Sequence, residues 1–81
     1  MGKYDPLRDY LRAQTLSEVT LSFRQIEKVL GTGLPASALR SQWWANEVPP
    51  GSSHVQRLAW VDAGYDAVLY AGRKVRFKRV G

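Results

Sequence analysis

The sequence predicts an α+β domain in which helices pack on one face of a small antiparallel sheet ending in a C-terminal β-hairpin. Three observations carry this. Apolar residues recur at helical spacing through the first half of the chain, as at Phe23, Ile26, Val29 and Leu30. Residues 19–23 and the C-terminal third instead alternate apolar and polar side chains at the period of a strand. Glycines and prolines at Gly31, Pro49-Pro50-Gly51, Gly64 and Gly72 punctuate these runs.

Each element has its own local reason. Asp5-Pro6 reads as an N-cap followed by proline in the first helical position, and Leu7, Tyr10, Leu11 and Gln14 continue at helical spacing, so a first helix is expected over 6–14. Val19 to Phe23 read as a short strand. Ser22 with Gln25 three residues on is a capping-box pair, which opens a second helix that Gly31 closes. From Pro35, Leu39 and Trp43 fall four apart, and a third helix is expected to run to about Asn46. The stretch Val48-Pro49-Pro50-Gly51-Ser52-Ser53 loses backbone donors and is a loop. Ser53 and Gln56 repeat the capping-box spacing, so a fourth helix should start at His54 and stop at Gly64. Tyr65–Tyr70 and Lys74–Val80 then pair as a hairpin around Ala71-Gly72-Arg73. This order is nearly that of a winged helix-turn-helix domain, in which a strand after the first helix pairs with the terminal hairpin. The extra helix departs from it, and either the third or the fourth helix can serve as the reader. Thr32 and Arg40 also stand where a helix-turn-helix places apolar residues.

Size and composition bound the function. The 81 residues make one domain near the lower limit for a core without staples, and nine aromatic residues supply much of its packing. With no cysteine there is neither a disulfide nor a thiolate metal site, which suits a reducing cytoplasm. No apolar run is long enough for a membrane span, and the N-terminus lacks the layout of a signal peptide. A cytoplasmic, nucleoid-associated protein is expected, with no membrane partner.

The net charge of +5 is unevenly placed. Residues 1–39 carry five basic and four acidic side chains, and residues 40–81 carry seven basic and three acidic. Arg73, Lys74, Arg76, Lys78 and Arg79 are five cations within seven positions, with no acid among them. A polyanion is the natural partner of such a segment. On a strand, Val75 and Phe77 face the core while Lys74, Arg76 and Lys78 form a ladder of cations that positions a protein on phosphates without reading sequence. Lysines on an edge strand also prevent aggregation, and that second reading is compatible with the first.

Other candidate contacts lie on the expected helices. Ser37, Arg40, Ser41 and Trp44 share a face of the third helix at i, i+3, i+4 and i+7, a combination that can pair with guanine, bond phosphate and wedge between bases. Trp44 has a competing reading as packing under the Pro49-Pro50 loop. Trp43 and Trp60 belong to the core. Asn46 either closes the helix through its own backbone or reads adenine edges. His54, Gln56 and Arg57 open the fourth helix, where free N–H groups and the dipole attract phosphate; His54 reads equally as an ordinary first-turn surface residue.

Enzymatic readings find little. There is one histidine, no cysteine, and no HExxH, Walker or dinucleotide fingerprint, and Gly31-Thr32-Gly33 lacks the lysine of a phosphate loop. The carboxylates are scattered, with Asp5 occupied as a cap. No catalytic device, metal site, cofactor or small-molecule substrate is expected.

The runs Lys3-Tyr4-Asp5-Pro6-Leu7, Leu21-Ser22-Phe23, Ile26-Glu27, Leu30-Gly31, Leu34-Pro35, Ser37-Ala38 and Trp43-Trp44-Ala45-Asn46, with His54, Trp60 and Ala63-Gly64, resemble a family of small, functionally uncharacterised prokaryotic domains found alone or attached to larger proteins. Tyr65 stands where that pattern usually has tryptophan. The resemblance implies a shared fold and transfers no binding or catalytic residue. The expected function is therefore a module for double-stranded DNA, regulatory or architectural, with a helix at a groove and the hairpin on phosphates. The rival is a protein-interaction or self-association module docking through Trp44 and the hairpin edge, and RNA is a third ligand.

Overall fold

The computed structural model describes residues 3–45 and 55–80, which form three short helices, three 3-10 turns and one three-stranded antiparallel sheet. Helix α1 (Asp5–Arg12) buries Leu7 and Leu11, four residues apart on one face. Asp5 is the first helical residue and not the cap. Tyr4 takes the cap position without a side-chain bond, and the Asp5 carboxylate lies 3.6 Å from the Arg8 guanidinium. The acid still complements the helix dipole there.

Strand β1 (Glu18–Ser22) runs directly into α2 (Phe23–Leu30). Ser22 makes that junction possible, because its hydroxyl accepts from the Gln25 backbone N–H at 3.1 Å while the Gln25 side chain accepts from the Ser22 N–H at 2.8 Å. The full capping box expected from the sequence is present. Gly31 closes α2 in the left-handed conformation at φ +75°, which an L side chain adopts at a cost.

The chain departs from expectation between Pro35 and Trp44. Instead of a third helix there are two 3-10 turns, Ala36–Leu39 and Ser41–Trp44, separated by Arg40 in an extended conformation. This segment folds around the Trp44 ring, which bonds back to the first of the two turns. In the two turns the rings meet edge to face at 4.6 Å, and the Trp44 indole N–H donates to the Ala38 carbonyl at 2.8 Å. Trp44 is fully buried beside Phe23, Trp60 and Phe77, whereas Leu39, expected on one helix face with Trp43, is 56% exposed. Trp43 is half-buried and packs against that core.

The expected fourth helix is also shorter. A 3-10 turn, Val55–Arg57, leads into the single α-turn of α3 (Leu58–Val61), which buries Ala59 and Trp60, and Gly64 at φ +85° turns the chain into the sheet. Strands β2 (Tyr65–Tyr70) and β3 (Lys74–Arg79) form the predicted hairpin. The sheet order is β1-β3-β2. The cationic strand β3 is thus central, flanked by β1 on one side and β2 on the other, and edge protection cannot account for its charge. Val19, Leu21, Tyr65, Ala67, Val75 and Phe77 face the helices, and together with Leu7, Leu11, Ile26, Ala38, Trp44, Ala59 and Trp60 they form one core.

Candidate nucleic-acid interface

Alternation on three paired strands fixes what the sheet shows to solvent. Val75 and Phe77 turn inward, so Lys74, Arg76 and Lys78 turn outward, about 6.7 Å apart along the strand. The register supplies their neighbours. Lys74 lies between Ser22 and Tyr70, Arg76 between Thr20 and Val68, and Lys78 between Glu18 and Asp66. The ladder seen in the sequence is therefore polarised. At the end away from the hairpin tip, Lys78 has an acidic residue directly opposite on each strand, which lowers the net positive charge of that end although neither forms an ion pair with it. At the tip end, Lys74 and Arg76 face only neutral residues. Sequence proximity hid this, because both acids come from other strands.

The tip itself extends the positive end. Gly72 and Arg73 both have positive φ, +81° and +56°, and the Arg73 carbonyl accepts from the Phe23 N–H at 2.8 Å. That bond ties the hairpin to the start of α2, and Arg24 and Arg73 line one shallow hollow there with Ser22, Phe23, Glu27 and Gly72. Glu27 is already engaged, accepting from the Leu34 N–H at 2.7 Å. A second hollow of about 340 Å³ separates the tip from the exposed Leu39, with Phe23, Leu69 and Tyr70 among its lining. Arg79 belongs to the fold: its guanidinium donates to the Gln14 carbonyl at 2.8 Å and to the Tyr65 hydroxyl at 3.0 Å, and that hydroxyl donates to the Leu16 carbonyl at 2.7 Å. These bonds hold the α1–β1 connection against the end of the sheet.

The residues expected on the reader helix are not brought together. Ser37, Arg40 and Ser41 are exposed on the two turns, and Trp44 is in the core, so the face that would have combined them does not exist. A 3-10 turn repeats every three residues and Arg40 interrupts it, which destroys the i, i+3, i+4, i+7 alignment. Trp44 cannot wedge between bases or dock a partner protein. Gln56 is buried, and its side-chain amide donates to the Trp43 carbonyl at 3.0 Å, which removes it as a phosphate ligand. Arg57 is half-buried at the start of α3, which is too short to present a helical N-terminus. Asn46 and His54, like the Pro49-Pro50 loop, lie outside the described residues.

Two exposed residues beside the cations are not singled out by the sequence. Tyr70 is 44% exposed, and Val68 is 47% exposed. The Arg76 guanidinium sits 4.7 Å from the centroid of the Tyr70 ring. A signal for them exists: with Tyr65 and Ala67 in the core, period-2 alternation sends Asp66, Val68 and Tyr70 to the solvent face.

A family model described as a domain of unknown function, DUF7662, matches residues 4–81. The chain belongs to the DUF7662 family. Neither the curated proteins nor the solved structures gave a match. The match spans every described helix and strand of this DUF7662 domain, from Asp5 to Arg79. Among the described residues of the DUF7662 domain, no helix is long and apolar enough to cross a membrane, and no three His, Cys, Asp or Glu side chains group as metal ligands.

Proposed function

We propose that this domain is a non-enzymatic nucleic-acid-binding module that holds the phosphate backbone with the tip end of its sheet. The observation that carries the reading is the register of β3: Lys74 and Arg76 point to solvent from the central strand with no acid opposite either, and the exposed Arg73 continues the line at the hairpin tip. Cations in this arrangement attract a polyanion and give binding its salt dependence.

The connectivity supports a winged-helix-like arrangement, since the strand after the first helix pairs with the last strand of the terminal hairpin. In this variant the two turns from Ala36 to Trp44 stand in place of a reader helix. Binding is then positional, through phosphates, and an architectural or accessory role fits better than a sequence-reading regulator. A cytoplasmic, nucleoid-associated location goes with that role.

The test is a titration with labelled mixed-sequence DNA, single-stranded and duplex, at low and moderate salt. Binding should weaken steeply with salt. Replacing Lys74 and Arg76 together by Gln should flatten the slope of log K against log salt by roughly one for each phosphate no longer neutralised. No binding to either form at low salt contradicts the proposal.

A further inference from the structure

The tip end of the sheet carries more than charge. Tyr70 and Val68, adjacent outward positions of β2, are both nearly half exposed, while the core has its own aromatic residues in Trp44, Trp60, Tyr65 and Phe77. Arg76 lies directly across from Val68 and diagonally from Tyr70, with its guanidinium against the Tyr70 ring. Lys74 is directly across from Tyr70, and Arg73 follows at the turn. An open sheet face thus places an aromatic ring, a guanidinium over that ring and an aliphatic side chain side by side, bordered by cations.

Such a surface discriminates between forms of nucleic acid. A duplex offers phosphates and groove edges, but its base faces are already stacked on each other. The Tyr70–Arg76 pair would gain nothing from it unless a base were unstacked. A single strand offers base faces and phosphates together, and aromatic rings and guanidinium planes on an open sheet are the groups that take unpaired bases. We infer that the Tyr70–Arg76 pair is a stacking site for one unpaired base, with the neighbouring phosphates held by Lys74 and Arg73, so that the preferred ligand is single-stranded nucleic acid. This rests on the nucleic-acid reading above and narrows it.

The experiment compares a labelled mixed-sequence DNA strand, the RNA of the same sequence and the annealed DNA duplex at one low salt concentration, with wild type, Tyr70→Phe and Tyr70→Leu. Tyr70 lies outside the core, and equal urea midpoints show that the variants fold. One or both single strands should bind more tightly than the duplex, and the DNA and RNA arms distinguish which source of unpaired bases is preferred. Tyr70→Leu should lose about five- to hundredfold in single-strand affinity while keeping the wild-type salt slope, because stacking and not phosphate binding is removed. Tyr70→Phe should retain the affinity. Duplex binding as tight as both single strands, or full single-strand affinity in Tyr70→Leu, overturns the stacking site and leaves the phosphate reading standing. Failure of every form to bind overturns both.

Discussion

The indole N–H of Trp44 donates to the carbonyl of Ala38 at 2.8 Å, and both residues are buried. This bond joins the two 3-10 turns across Arg40 and directs Trp44 into the core, away from any ligand.

Its removal should therefore cost stability. Trp44→Ala should destabilise the domain by about 3–5 kcal/mol, as for other large buried aromatics. Trp44→Phe keeps most of the volume and loses the donor, so it should cost about 1–3 kcal/mol if the Ala38 carbonyl remains buried without a replacement. Urea denaturation followed by tryptophan fluorescence measures both. Unchanged stability in either variant would place Trp44 outside the core.

Gln56 gives a second structural prediction. Replacing it by Leu removes the donor to the Trp43 carbonyl and should lower stability by about 1–3 kcal/mol. Nucleic-acid affinity, measured where the variant is folded, should stay at the wild-type value. A selective loss of affinity would return Gln56 to the interface.

Arg73 separates stability from binding. A non-glycine residue in the left-handed region costs about 1–2 kcal/mol, which glycine avoids at some cost in chain entropy. Arg73→Gly should therefore be as stable as wild type or more so, while its affinity for nucleic acid falls. Arg73→Ala keeps the strained backbone and should gain no stability. Paired denaturation and anisotropy measurements decide this, and a Gly variant that binds normally would show that the side chain serves no ligand.

The polarity of the β3 ladder predicts unequal cations. Lys78→Gln should change affinity and salt slope less than Lys74→Gln, because Glu18 and Asp66 stand opposite Lys78 and lower the net positive charge around it. Conversely, Glu18→Gln with Asp66→Asn should tighten binding. Equal losses at Lys74 and Lys78 would mean that the cross-strand acids do not matter.

What the sequence disclosed was governed by range. The capping box of Ser22 and Gln25, the left-handed Gly31 and the β2–β3 hairpin are set by neighbours in the chain, and all three were legible. The broken helix was not, because Leu39 and Trp43 fit a helical period over one turn while the competing demand, burial of Trp44 against Trp60 and Phe77, comes from distant residues. The site shows the same division. Alternation identified Lys74, Arg76 and Lys78 as one outward row, but the central place of β3 and the acids beside Lys78 depend on the pairing with β1 and β2.

Titrating isotope-labelled protein with a mixed-sequence oligonucleotide at low salt, and mapping amide shifts by NMR, locates nucleic acid on the surface of the domain. With the tip end of the sheet as the site, shifts should concentrate at Val68, Tyr70, Arg73, Lys74 and Arg76 and fade toward Asp66 and Lys78. Shifts centred instead on the Ala36–Trp44 turns or on α3, or none at all, would contradict it.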